Sequence, residues 1–297
     1  MNAAVSASGT TRPDPRDEWD RLSQADRDAA YDNTAAVRNS AALIAERNAA
    51  SAEIRSRVPS TLDVPFADGE RTRFDLYPAA ASEAPCLVFI HGGYWQRNSR
   101  ELFAMLVEGP AANGWSVAIP GYSLAPDASL TQIVREIRLA LDWLEREGHA
   151  YGIGGPVVLA GWSAGAHLTA MALDHPRVTA GLAVSGVYDL RPVRDTNLNA
   201  ALRLTDEEVA TLSPLSLPPV AKPLAIAYGT GELPALVCDS ILLHETRLAA
   251  GAPGSLIPVA GADHFTILDE LRRPDGVLVR AACDLLGGTG PAPFTAP

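Results

Sequence analysis

The sequence predicts an α/β protein: a mostly parallel central sheet with helices on both faces, preceded by a helical N-terminal segment. Three observations carry this. Short apolar runs of strand length, such as Cys86-Leu87-Val88-Phe89-Ile90 and Pro156-Val157-Val158-Leu159-Ala160, lack the alternation of a half-exposed strand and read as strands buried on both faces. They alternate with helical stretches, which places a helix in each crossover between parallel strands. Glycine-bearing turns stand at the strand ends, at Gly92-Gly93, Gly161 to Gly165, Gly229-Thr230-Gly231 and Gly261.

Composition bounds the rest. The 297 residues are 47% hydrophobic and 20% charged, enough apolar material for one sizeable core. Residues 17–288 are expected to form a single domain, between a disordered tail at 1–16 and a loose one at 289–297. The net charge of -11 and the single lysine, Lys222, argue against nucleic acid or an anionic membrane as partner. A small-molecule substrate is the partner expected, with a homodimer as the assembly left open. Cys86, Cys238 and Cys283 stand apart, in no metal-ligand spacing, which points to a reduced, cytoplasmic setting. No basic region leads into an apolar one at the N-terminus, and no later apolar run of about 18 residues could span a bilayer. No cofactor or metal is called for.

In chain order, Ser23 followed by Gln24 to Asn33, then Thr34 to about Arg57, read as two N-terminal helices. They are either a solvated cap over a sheet edge or the route by which Tyr31 and Asn33 reach the active site. Two alternating segments around Ala67-Asp68-Gly69 predict an antiparallel hairpin over 60–78. The strand 86–90 runs into His91-Gly92-Gly93-Tyr94-Trp95. A helix from Arg100 to about Asn113, a strand at 116–120 and a loop at 121–126 follow. Leu130, Ile133, Val134, Ile137, Ala140, Leu141 and Leu144 then mark one face of a helix, with Arg135, Glu136, Arg138 and Asp142 outside it. Trp143 at the edge of that face is assigned to packing, with a partner subunit as the alternative. A strand is expected over 181–187, and a partial lid over 191–221 with a short helix near Thr205. Strands over 223–228 and 255–259, with helices near 235–250 and 277–286, complete the sheet.

The chemistry is concentrated at Gly161-Trp162-Ser163-Ala164-Gly165. Strand, G-x-S-x-G and helix in succession describe a nucleophile elbow, a strained turn that lifts a serine hydroxyl clear of the sheet edge. A serine at its free pKa needs a base, and the base needs a third group to orient it. His264, in the glycine-flanked loop after the last strand, is assigned as the base. His91 is expected to fix the loop that carries the oxyanion donors and His167 to buttress the elbow. Glu232, just past the strand 223–228, is the preferred acid, with Asp239 as the alternative. Backbone N–H groups of Gly93, Tyr94 and Ala164 are the expected oxyanion donors, and Tyr31, Tyr94, Trp95, Trp162 and Phe265 the expected substrate contacts.

The segments His91 to Trp95, Tyr122-Ser123-Leu124-Ala125-Pro126, Gly161 to Gly165, Ser185 to Leu190 and Asp263-His264-Phe265, with Ala30-Tyr31-Asp32-Asn33, together resemble the metal-independent kynurenine formamidase (arylformamidase) group of α/β hydrolases. That group is close to the hormone-sensitive-lipase-like esterases. The resemblance covers most of residues 19–286 and implies the α/β-hydrolase fold, with cleavage of a formyl group from an aryl amine such as N-formylkynurenine, a step of tryptophan catabolism. One departure stands out: the group usually carries Asp as the acid, and this chain has Glu232. Two other readings remain open, a carboxylesterase on short acyl esters and a non-catalytic ligand-binding protein on the same fold.

Overall fold

The computed structural model describes residues 19–288, so the tails expected at 1–16 and 289–297 lie outside the described residues. The sheet consists of β1 (Thr61–Pro65), β2 (Arg73–Tyr77), β3 (Cys86–Ile90), β4 (Ser116–Pro120), β5 (Val157–Trp162), β6 (Val178–Val184), β7 (Leu224–Gly229) and β8 (Gly254–Val259). Across the sheet their order is β1-β2-β4-β3-β5-β6-β7-β8. The expected hairpin pairs β1 with β2, and β2 lies antiparallel to β4. From β4 to β8 every pairing is parallel. β3 and β5 sit side by side near the middle, so the loops that follow them open beside each other at one edge.

Side chains alternate across these strands, as the pleat requires. In β3, Cys86, Val88 and Ile90 face one core while Leu87 and Phe89 face the other. The helices comprise α1 (Gln24–Ala29), α2 (Asn33–Ala36), α3 (Ser40–Arg57), α4 (Glu108–Ala112), α5 (Leu130–Glu147), α6 (Ala164–Met171), α7 (Leu190–Arg194), α8 (Asn199–Leu202), α9 (Asp206–Leu212), α10 (Pro234–Ala249), α11 (Asp269–Arg272) and α12 (Val277–Asp284). Apolar residues of α5, α6 and α10 fill the first core, and those of α3, α11 and α12 fill the second.

Local chemistry moves several expected boundaries. The second N-terminal helix is split, because the Asp32 carboxylate caps α2 and Val37 turns extended before α3 begins. The helix expected from Arg100 is a 3-10 turn over Arg100–Val107 followed by α4. Pro110 falls in the first turn of α4, where its missing N–H costs no hydrogen bond. β6 starts at Val178 and stops at Val184, since Ser185 takes a left-handed φ of 54°. Glu136, expected outside the buried face of α5, is buried and accepts from the Ser123 N–H (2.7 Å) and Gln132 Nε2 (2.9 Å). Trp143 packs between Phe74 and Tyr151, as its packing assignment requires. Three short helices occupy the start and middle of the segment 191–221, where one was expected; α9 carries a full capping box between Thr205 and Glu208.

Candidate active site

Ser163 sits between β5 and α6 with φ 58° and ψ -120°, a conformation that costs a non-glycine residue about 1–3 kcal/mol. The surrounding glycines make that turn sterically feasible. A Cβ on Gly161 would lie 2.2 Å from the Gly165 carbonyl oxygen, and one on Gly165 would lie 2.0 Å from that of Ile90 in β3. The turn is therefore pressed against both its own helix and the next strand. Ser163 N–H donates to the Val184 carbonyl (2.8 Å), which ties the turn to β6 as well.

His264 and Glu232 arrive from the ends of β8 and β7, and their side chains meet. Nδ1–H of His264 donates to Oε2 of Glu232 at 2.9 Å. The Glu232 side chain is fully buried, and its other oxygen accepts from Ser185 Oγ (2.5 Å) and the Gly229 N–H (2.7 Å). Three donors thus hold this buried carboxylate in one orientation. The alternative acid is engaged elsewhere: Asp239 Oδ2 accepts from the backbone N–H groups of Tyr188 (2.6 Å) and Asp189 (3.1 Å). Trp162 braces the histidine, its indole N–H donating to the His264 carbonyl (2.8 Å) and its ring lying 4.7 Å from the imidazole.

The loop after β3 has an unusual backbone. Gly93, Tyr94 and Trp95 have φ of 122°, 48° and 57° in succession, a run of positive values that non-glycine residues rarely adopt. His91 and Asn98 hold it in place. His91 Nδ1–H and Asn98 Nδ2 both donate to the Gly92 carbonyl, at 2.9 and 3.0 Å. Burial pushes the His91 pKa down to about 3, so the ring is neutral, and it stacks on Tyr122 at 4.2 Å. Ala164 opens α6, so its N–H has no acceptor within the helix. His167 is buried with its pKa pushed down to about 4, and its Nε2–H donates to the Leu212 carbonyl (2.7 Å).

Ser163 and His264 open into one cavity of about 700 Å³, whose wall also includes Gly93, Tyr94, Trp162 and Phe265. The N-terminal helices supply much of the remainder. Tyr31 and Asn33 line the cavity, so these helices form part of its wall. The Tyr94 hydroxyl donates to the Tyr31 carbonyl (2.7 Å) and accepts from Asn33 Nδ2 (2.9 Å), fastening that wall to the glycine loop. From the segment 191–221, Asn197 and Leu198 reach the cavity. One expected contact is corrected: Trp95 is fully buried, lies edge-on to His167 at 5.0 Å and does not line the cavity. Its left-handed backbone turns the indole into the core. Asp32 lines the cavity as well, and Arg47, Arg97, Asn98 and Asp28 do so without having been singled out in the sequence. Ser185, which steadies Glu232, was likewise hidden, because only tertiary pairing of β6 with β7 brings the two together.

Among the described residues there is no cluster of three or more His, Cys, Asp or Glu suited to a metal ion, and no helix is long and apolar enough to cross a membrane. The BD-FAE family model matches residues 74–178, from β2 through the elbow to the start of β6. The chain is 28% identical to a kynurenine formamidase of Danio rerio over 250 residues, covering 78% of this chain and 84% of that protein. It is 30% identical to a kynurenine formamidase of Drosophila melanogaster over 217 residues, covering 67% and 72%. A candidate thioesterase from Silicibacter sp. TM1040 superposes with a TM-score of 0.79 at 28% identity, over 86% of this chain and 98% of that one. The esterase LipW of Mycobacterium marinum shares the fold at a TM-score of 0.70 and 19% identity, over 90% and 97%. The mostly parallel sheet and the elbow between β5 and α6 are thus those of an α/β hydrolase, and with this kinship to the insect and fish enzymes the chain belongs to the kynurenine formamidase family.

Proposed function

We propose that this hydrolase uses Ser163 as nucleophile, with His264 and Glu232, to remove a small acyl group, formyl above all, from an aryl amine such as N-formylkynurenine. The observation that carries the reading is the buried His264–Glu232 hydrogen bond at 2.9 Å, beside the strained Ser163 turn and opening into the same cavity. Kinship with the kynurenine formamidases supports the choice of acyl group and leaving group. Ser163 Oγ attacks the formyl carbon as His264 takes its proton, and Glu232 stabilises the imidazolium. The N–H groups of Gly93, Tyr94 and Ala164 receive the oxyanion. His264 then returns the proton to the departing aryl amine, and water attacks the formyl-enzyme to release formate and free Ser163.

Shorter matches to the esterases LipQ and LipC of Mycobacterium tuberculosis, 30% and 29% identical over 40% and 41% of this chain, favour a second reading, hydrolysis of short acyl esters by the same residues. One substrate series separates the two. On a common aryl amine, kcat/KM is expected to fall in steps from formyl to acetyl to butyryl, since each methylene is worth only about 1–3 kcal/mol of fit. Matched aryl esters should follow the same order without overtaking the formyl anilide. A flat or rising series, or esters preferred throughout, would move the protein to the esterase reading.

A further inference from the structure

Arg47 stands in the wall of the cavity with a charge that no carboxylate among the described residues answers. It lies on α3, is only 7% exposed, and lines the cavity shared by Ser163 and His264. Its guanidinium carbon is 4.4 Å from the centre of the Phe103 ring. Nε and Nη2 both donate to Oδ1 of the neighbouring Asn48, at 3.2 and 3.0 Å. One edge of the fork is therefore spent on a neutral amide oxygen, and Nη1 has no hydrogen-bond partner among the described residues.

Other buried arginines are matched. Arg100 pairs with Asp63, Asp75 and Glu101, while Arg247 donates to the carbonyls of Val220, Lys222 and Pro253. The cavity's own acids are committed to the backbone: Asp28 accepts from Asn197 N–H (2.7 Å) and Asp32 from Ala35 N–H (3.0 Å). Burial draws the Arg47 pKa down to about 10, so the group stays charged at neutral pH. A cation kept in a cavity wall without a counter-charge is unfavourable unless something that enters the cavity supplies one.

Resting on the proposed acyl-transfer reading, we infer that Arg47 is a specificity-determining residue that binds a carboxylate on the aryl amine half of the substrate. Phe103, the ring beneath the guanidinium, lies 5.8 Å from the ring of Trp162, which in turn lies 4.7 Å from that of His264. Arg47 is thus set back from the base by two rings. It is placed to hold a charged side chain of the leaving amine, and the reacting carbonyl stays with Ser163. The planar guanidinium suits a carboxylate, which accepts two parallel N–H bonds.

The test uses two formanilides that differ only at the end of an ortho side chain, carboxylate in one and carboxamide in the other. Arg47→Met is expected to lower kcat/KM for the carboxylate about 10- to 100-fold, chiefly through KM, and to leave the carboxamide within about threefold. Arg47→Lys should recover part of the loss. An equal fall on both substrates would show that Arg47 only clamps α3 to Phe103, and no change on either would overturn the inference as well. Calorimetric binding of the carboxylate formanilide to Ser163→Ala, with and without Arg47→Met, reads the same site without turnover. Weaker binding in the double variant supports the carboxylate site even if the wild type cleaves neither formanilide, an outcome that sinks the formamidase reading alone. Unchanged binding overturns the site.

Discussion

At the scale of single residues, the site depends on which polar atoms are already engaged. Ser163→Ala removes the proposed attacking atom, and kcat is expected to fall to a few per cent of wild type or less, with the unfolding midpoint retained; substantial residual turnover would point to another nucleophile. Glu232 and Asp239 are both buried acids near the sheet edge, yet only Glu232 reaches the imidazole. Glu232→Gln is expected to lower kcat by about three to four orders of magnitude, because an amide cannot hold the imidazolium or dictate its tautomer. Asp239→Asn is expected to spare kcat and to cost about 1–2 kcal/mol of stability, since a neutral oxygen would then serve the N–H groups of Tyr188 and Asp189. Steady-state kinetics and urea unfolding on the two variants separate the roles; the opposite ranking in kcat would overturn the choice of acid.

At the scale of elements, the N-terminal helices form part of the cavity wall. Their attachment to the glycine loop runs through one hydroxyl, that of Tyr94, which bonds both the Tyr31 carbonyl and the Asn33 amide. Tyr94→Phe would leave both groups without that partner in a buried place, at a cost of about 1–3 kcal/mol. Because the Tyr94 backbone N–H is retained, KM is expected to rise severalfold while kcat changes little. A collapse of kcat with KM unchanged would show instead that the side chain sets the loop's backbone. α3 is also tied to the sheet by Arg55, whose Nη1 donates to the buried Asp75 of β2 at 2.5 Å, so loosening is expected to be confined to the cavity side of the segment.

For the whole molecule, His91 and His167 make stability sensitive to acid. Both are fully buried, and burial lowers their pKa from the ordinary 6.5 to about 3 and about 4. The unfolded chain therefore binds protons that the folded one refuses, so stability is highest above pH 6.5 and falls as the pH drops toward the folded values. At pH 5, 1.5 units below the unfolded pKa, each ring withdraws roughly 2 kcal/mol. Urea unfolding at pH 7 and pH 5 should show the loss. His167→Gln, which keeps a donor for Leu212, should reduce it by about 2 kcal/mol. An identical loss in that variant would mean that other groups set the acid limit.

The parallel sheet, the elbow and the places of Ser163, Glu232 and His264 at the strand ends were legible in the sequence, because each rests on a local pattern. An apolar run fixes a strand, glycines fix a tight turn, and a histidine after the last strand has one sheet edge to which it can belong. Glu232 could be ranked above Asp239 by its position relative to β7, since the strand end places the side chain. The direction in which Trp95 points could not be read, because three consecutive left-handed residues reverse it and sequence does not display φ. Nor could the partnership of Ser185 with Glu232, 47 residues apart, or the entry of Arg47 into the cavity wall. Those contacts join separate elements and exist only once both cores have closed around the sheet. Local sequence determined where the reactive groups stand along the chain, and tertiary packing decided which charges they meet.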